Sequence, residues 1–152
     1  MENILVSACL LGVHCRYDGK CQSIPEFERE LPKLMEKYNL IPICPEIMGG
    51  LSTPRAASEI VSGSSVVSKE GRDVTEQFKA GGMEAVHLAK LYNCKYAILK
   101  ARSPSCGSGQ IYDGTFSKTV TEGDGIAAGM LKEVGVKVFT ENSISYFLQN
   151  IS

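Results

Sequence analysis

Four short apolar runs separated by stretches of helical spacing limit what this chain can become. They are Asn3 to Ala8 (NILVSA), Leu40 to Ile43 (LIPI), Tyr96 to Lys100 (YAILK) and Lys137 to Thr140 (KVFT). Runs this short, rich in Val, Ile and Leu, read as strands buried on both faces. Between the first two, Phe27, Leu31, Leu34 and Tyr38 recur at three- and four-residue intervals. They predict a helix opened by a Ser23/Glu26 capping box and bent or split at Pro32. Asp73 or Thr75 caps a second helix that runs to about Tyr92, where Gly81-Gly82 implies close backbone packing. Ile126 to Val134 and Ser143 to Ile151 predict two more helices, and Glu59 to Lys69 a small hairpin at the sheet edge. Strand and helix alternating in this way imply right-handed crossovers. The expected fold is α/β: a single domain over residues 1–152 with a Rossmann-like, open, mostly parallel sheet and helices on both faces.

Composition narrows the function classes. With 152 residues the chain can build one core. A formal net charge of -1 argues against a protein that tracks nucleic-acid phosphates. The apolar start, Ile4 to Val13, follows Glu2 rather than a basic segment, so it does not read as a secretion signal. No stretch approaches the roughly 20 apolar residues of a membrane span. These features predict a cytoplasmic protein with no membrane partner. Six cysteines in a reducing compartment favour metal or thiol chemistry over a disulfide scaffold.

Where that chemistry sits follows from the fold. In open α/β sheets ligands bind beyond the carboxyl ends of the strands. Cys9, Cys44 and Cys106 all fall at such ends, and Cys106 is set among hydroxyls and glycines in KARSPSCGSG rather than among apolar residues. Three converging thiolates can hold a metal or cluster and leave one coordination position free. Spacing leaves the metal open among an iron-sulfur cluster, zinc and copper(I). A single cysteine at a strand end is more often an inert small residue, so the inference rests on the set. Cys15, beside Arg16, is a possible alternate ligand; Cys21 shares its loop, and Cys94 reads as core. Glu46, two positions after Cys44, is a candidate general acid or base, and Ser103 a candidate proton relay. Arg16, Arg55, Lys100 and Arg102 are cations available to balance thiolate charge. His14 and His87 have weak claims, and no glycine-rich segment forms a full nucleotide-binding pattern.

Taken together, SACLLGVHCRYDG (Ser7 to Gly19), CPEIMGGLSTPR (Cys44 to Arg55), GRDVT (Gly71 to Thr75), KARSPSCG (Lys100 to Gly107) and IYDGTF (Ile111 to Phe116) resemble a small bacterial family that includes the thiouracil desulfidases. The resemblance spans nearly the whole chain. It implies an oxygen-sensitive 4Fe-4S cluster held by three cysteines, at positions matching Cys9, Cys44 and Cys106, with the fourth iron free for the sulfur of a substrate. Glu46 and Ser103 match the family's acidic and hydroxyl catalytic residues. The implied reaction is a non-redox removal of sulfur from a small thiolated base such as 2-thiouracil, giving the oxo base and hydrogen sulfide. Three other roles suit the same residues: an iron-sulfur or sulfide carrier, a cysteine-based redox sensor without catalysis, and a zinc hydrolase.

Overall fold

The computed structural model describes residues 1–152, and its main sheet is parallel throughout. In chain order the elements are β1 (Glu2–Ser7), α1 (Pro25–Lys37), β2 (Tyr38–Ile43), α2 (Pro45–Met48), β3 (Ser58–Ser62), β4 (Ser65–Ser68), α3 (Thr75–Leu91), β5 (Tyr96–Leu99), β6 (Gln110–Tyr112), β7 (Val120–Glu122), α4 (Ile126–Glu133), β8 (Lys137–Thr140) and α5 (Ile144–Asn150). Short 3-10 turns cover Ala8–Leu11 and Glu141–Ser143. The sheet runs β2-β1-β5-β8, with Leu5 opposite both Ile41 and Ala97 and Ile98 opposite Phe139.

Side chains alternate across each strand, so successive residues serve different layers. Ile4, Val6 and Ile98 pack with Phe27 and Leu34 of α1 and with Ile144 and Phe147 of α5. Leu5, Ala97 and Leu99 face the other way, onto Ala85 and Ala89 of α3 and Ala127, Ala128 and Leu131 of α4. Phe147 is fully buried, with its ring centroid 5.1 to 5.6 Å from those of Phe139, Tyr96 and Tyr38. Burying a side chain of that size contributes about 1.5–3 kcal/mol. The small residues on the α3 and α4 side let those helices approach closely. A Cβ on Gly81 would collide with the carbonyl oxygen of Pro45, and one on Gly82 with Met130 Sδ, 2.5 Å away. The glycine pair therefore serves the close packing that the sequence implied.

Several local expectations are corrected. The first helix begins at Pro25, with Ile24 at the capping position, because Ser23 Oγ donates to Glu28 Oε1 instead of capping. It runs through Pro32 as one helix rather than splitting there. The third helix has Val74 at its cap; Asp73 Oδ1 accepts from the Thr75 amide just ahead of it. The Glu59 to Lys69 hairpin exists as β3 and β4, but as a separate two-stranded sheet rather than at the main sheet's edge. The one-turn helix α2 and the β6-β7 hairpin lie in segments that read as loop.

Candidate functional site

The carboxyl ends of β1, β2 and β5 each deliver a cysteine to one place. Cys9 lies in the 3-10 turn that follows β1, and Cys44 is the capping residue between β2 and α2, with Pro45 at the first helical position. Cys106 lies in the loop after β5, which turns at Arg102 through a left-handed conformation (φ 66°). Together with Cys15 from the loop after β1, these three line a cavity of about 600 Å³. Cys94 is buried in the core beneath α3 and α4, and Cys21 does not reach the cavity. His14 and His87 are exposed and outside it.

The Cys106 loop is held by α4. The first amide groups of a helix have no partner inside it. Here Ile126 and Ala128 donate theirs to the carbonyls of Pro104 and Ser105, at 2.8 and 3.0 Å. Gly125 must be small, since a Cβ there would sit 2.5 Å from the Ser105 carbonyl carbon and 2.7 Å from the Cys106 nitrogen. Ser103 Oγ accepts from the amides of Ser105 and Cys106, at 3.1 and 3.0 Å. The hydroxyl-rich sequence around Cys106 therefore builds the turn that presents the thiol.

Glu46, on α2, is tethered at both oxygens. Arg55 Nε donates to Oε1 at 3.0 Å, and Ser105 Oγ donates to Oε2 at 2.8 Å. Arg55 is itself nearly buried, 8% exposed at the side chain, and its Nη2 donates to the Cys15 carbonyl at 3.0 Å. One guanidinium thus joins the Cys15 loop to the acid beside Cys44. The other cations divide. Lys100 pairs with the buried Glu141 at 3.0 Å and lines the cavity, Arg16 pairs with Asp18 at 3.6 Å, and Arg102 is exposed at the rim.

The thiols differ electrostatically. Burial pushes Cys9 up to about 11, a rise that neighbouring Cys44 reinforces and Lys100 and Arg16 oppose. Burial likewise pushes Cys106 up to about 12, against the opposing influence of the neighbouring Ser7 and Ser105 hydroxyls. Cys44 is pulled down to about 6, chiefly by its pairing with the Cys15 side chain and against the effect of burial, with smaller help from the Ile47 amide and Arg55; when protonated, its thiol donates to the Cys15 carbonyl, 3.8 Å away. Cys15 is raised by that same pairing and by burial. Of the two, Cys44 is the more acidic thiol.

No three His, Cys, Asp or Glu side chains meet tightly enough to ligate a single metal ion. The donors around the cavity are cysteine sulfurs, a soft set of the kind that holds an iron-sulfur cluster. Buried cations beside them can balance the charge of several thiolates.

Sequence reasoning missed several site residues, Ser105 and Glu141 among them. Ser105, 2% exposed, touches Ser103, Glu46 and Cys106 Sγ, the last at 3.6 Å. Glu141 anchors Lys100 from the far end of β8. Ser105 had a signal in its place next to Cys106; Glu141 had none, because its burial depends on the strand order.

The fold and cavity define an α/β protein that gathers cysteine sulfurs and a tethered carboxylate at the carboxyl edge of its parallel sheet. Comparison with known proteins gives the particular lineage: this chain belongs to the 2-thiouracil desulfurase family, which it matches over residues 4–143. It is 40% identical to the Bacillus subtilis protein YbbK, described as uncharacterized, over 95% of this chain and 99% of that one. Among solved structures it is similar to the 4Fe-4S-dependent thiouracil desulfidase TudS, with 38% identity, a TM-score of 0.86, and coverage of 96% of this chain and 95% of that one.

Proposed function

We propose that this protein removes sulfur from a small thiolated pyrimidine such as 2-thiouracil without net oxidation or reduction. In the overall reaction the water oxygen replaces sulfur on the ring carbon, and the sulfur leaves as hydrogen sulfide with the two protons of that water. The observation that carries the reading is the meeting of four thiols and a doubly tethered carboxylate at one cavity, in a chain of the desulfurase family.

Cys9, Cys44 and Cys106 would hold a 4Fe-4S cluster, which when bound supplies an iron with an open position and hence a Lewis acid for the thiocarbonyl sulfur. Cys15 then serves as the hydrogen-bonding neighbour of Cys44 rather than a ligand. Glu46, its two oxygens held by Arg55 and Ser105, takes a proton from the attacking water. Ser103, its oxygen fixed by two backbone amides, keeps a hydroxyl in place beside the reacting centre. Lys100, held by Glu141, sets a positive charge near Cys9 where negative charge accumulates on sulfur. Tyr112 and Phe116 on the cavity wall offer flat surfaces to a pyrimidine ring. The near-neutral charge supports a free small molecule over nucleic acid as the partner, and the six unpaired thiols support a cytoplasmic setting.

A carrier of sulfide or cluster needs the sulfur donors but no acid tethered at both oxygens, so Glu46 separates the two roles. After anaerobic reconstitution, Cys9→Ser, Cys44→Ser and Cys106→Ser each lose bound iron and the brown absorption, whereas Cys15→Ser keeps both. Glu46→Ala keeps the cluster and loses sulfide release from 2-thiouracil by about 100-fold or more, the scale of a lost general base. Full cluster content in the three serine variants contradicts the ligand set, and undiminished turnover in Glu46→Ala contradicts its role.

A further inference from the structure

We infer that Ser105 is the positioning residue that makes Ser103 and Glu46 one unit. This inference rests on the desulfidase reading for its kinetic consequence and on geometry for its substance.

No hydrogen bond joins Ser103 to Glu46 directly; Ser105 Oγ lies between them, 2.9 Å from Ser103 Oγ and 2.8 Å from Glu46 Oε2. The direction of this chain follows from counting lone pairs. A hydroxyl has two acceptor sites and one donor. Both acceptor sites of Ser103 Oγ are taken by the amides of Ser105 and Cys106. Its own hydrogen is left to point at Ser105 Oγ. Ser105 therefore accepts from Ser103 and spends its single hydrogen on the Glu46 carboxylate, a stronger acceptor at 2.8 Å than Cys106 Sγ at 3.6 Å. With Arg55 on Oε1, this fixes the plane of the carboxylate and so the direction in which its remaining lone pairs meet substrate water. The chain is shielded from competing water, because Ser105 is buried and tied into the α4 amino terminus through its carbonyl.

The test is a set of variants in cluster-loaded protein, read by sulfide release, iron content and infrared spectroscopy. Ser105→Ala is expected to lower kcat about tenfold or more, with KM changed less than about twofold and iron per chain unchanged. Ser105→Thr, which keeps the hydroxyl, restores most of the rate and guards against a packing artefact in the alanine variant. In a Glu46→Ala background, Ser105→Ala causes no further loss, because a residue acting through Glu46 has nothing left to position. A full multiplicative loss in that background, or wild-type kcat in Ser105→Ala, overturns the assignment. The infrared arm needs no turnover: the Glu46 carboxylate band, identified by its disappearance in Glu46→Gln, shifts in Ser105→Ala. An unmoved band refutes the Ser105 link even in an active enzyme. A wild-type protein that releases no sulfide from any thiolated base refutes the desulfidase reading instead, and leaves the band shift to decide Ser105.

Discussion

Cys15 and Cys44 are neighbours on one cavity wall, yet they hold their protons very differently. Their pairing lowers Cys44 from 9.0 to about 6 and raises Cys15, whose burial adds to the rise. Cys9 and Cys106 stay protonated to about 11 and about 12 because burial penalises their thiolates. At pH 7 the cluster-free protein should therefore react with iodoacetamide first at Cys44, and mass spectrometry of the digested adduct reads the order. Preferential labelling of Cys9 or Cys106 contradicts this. The same shifts give stability a pH dependence. Between about 6 and 9 the unfolded chain binds the Cys44 proton that the folded chain has released, so folding stability rises with pH. Above 9 the folded chain keeps protons on Cys9 and Cys106 that the unfolded chain loses, so stability falls toward pH 11 and 12. Urea titrations of cluster-free protein across this range should show a maximum near pH 9; a monotonic profile rules out this account of the thiols.

At the scale of elements, the short helix α2 carries Glu46 and depends on a glycine in another helix. Gly81 of α3 admits the Pro45 carbonyl where any side chain would collide, and Gly49 at the end of α2 admits the Gln77 carbonyl in the same way. Gly81→Ala should destabilise the fold by about 1–3 kcal/mol, the usual cost of overpacking. It should also lower activity while leaving iron content nearly intact, because the displaced element bears the acid. Thermal unfolding beside sulfide release measures both; wild-type values for each would show that the crossing tolerates a methyl group. This element was invisible in the sequence, since one turn offers no period to detect. The β6-β7 hairpin hid for a similar reason, with three residues to a strand. The four parallel strands were legible because Val, Ile and Leu runs bounded by polar turns have few alternative readings. The capping box at Ser23 misled, as its hydroxyl found the Glu28 carboxylate before any backbone amide.

The whole molecule converts sequence distance into proximity. Parallel strands put every carboxyl end on one side, so the strand-end rule was enough to bring Cys9, Cys44 and Cys106 to a common cavity. What the rule could not supply was how the polar groups connect. Glu46 meets Ser105 across 59 residues, and Lys100 finds Glu141 only because β8 lies beside β5. Identifying Ser103 alone as the hydroxyl partner left out the residue that links it to the acid. Fold and thiol placement thus follow from local pattern, whereas the hydrogen-bonded chain needs the packed α4 amino terminus. The most direct measurement is anaerobic turnover of 2-thiouracil by the reconstituted protein in oxygen-18 water, with no electron donor or acceptor added. The account predicts uracil and sulfide in equal amounts and one labelled oxygen in the uracil; sulfide released only when a reductant is supplied, or uracil without the label, would contradict it.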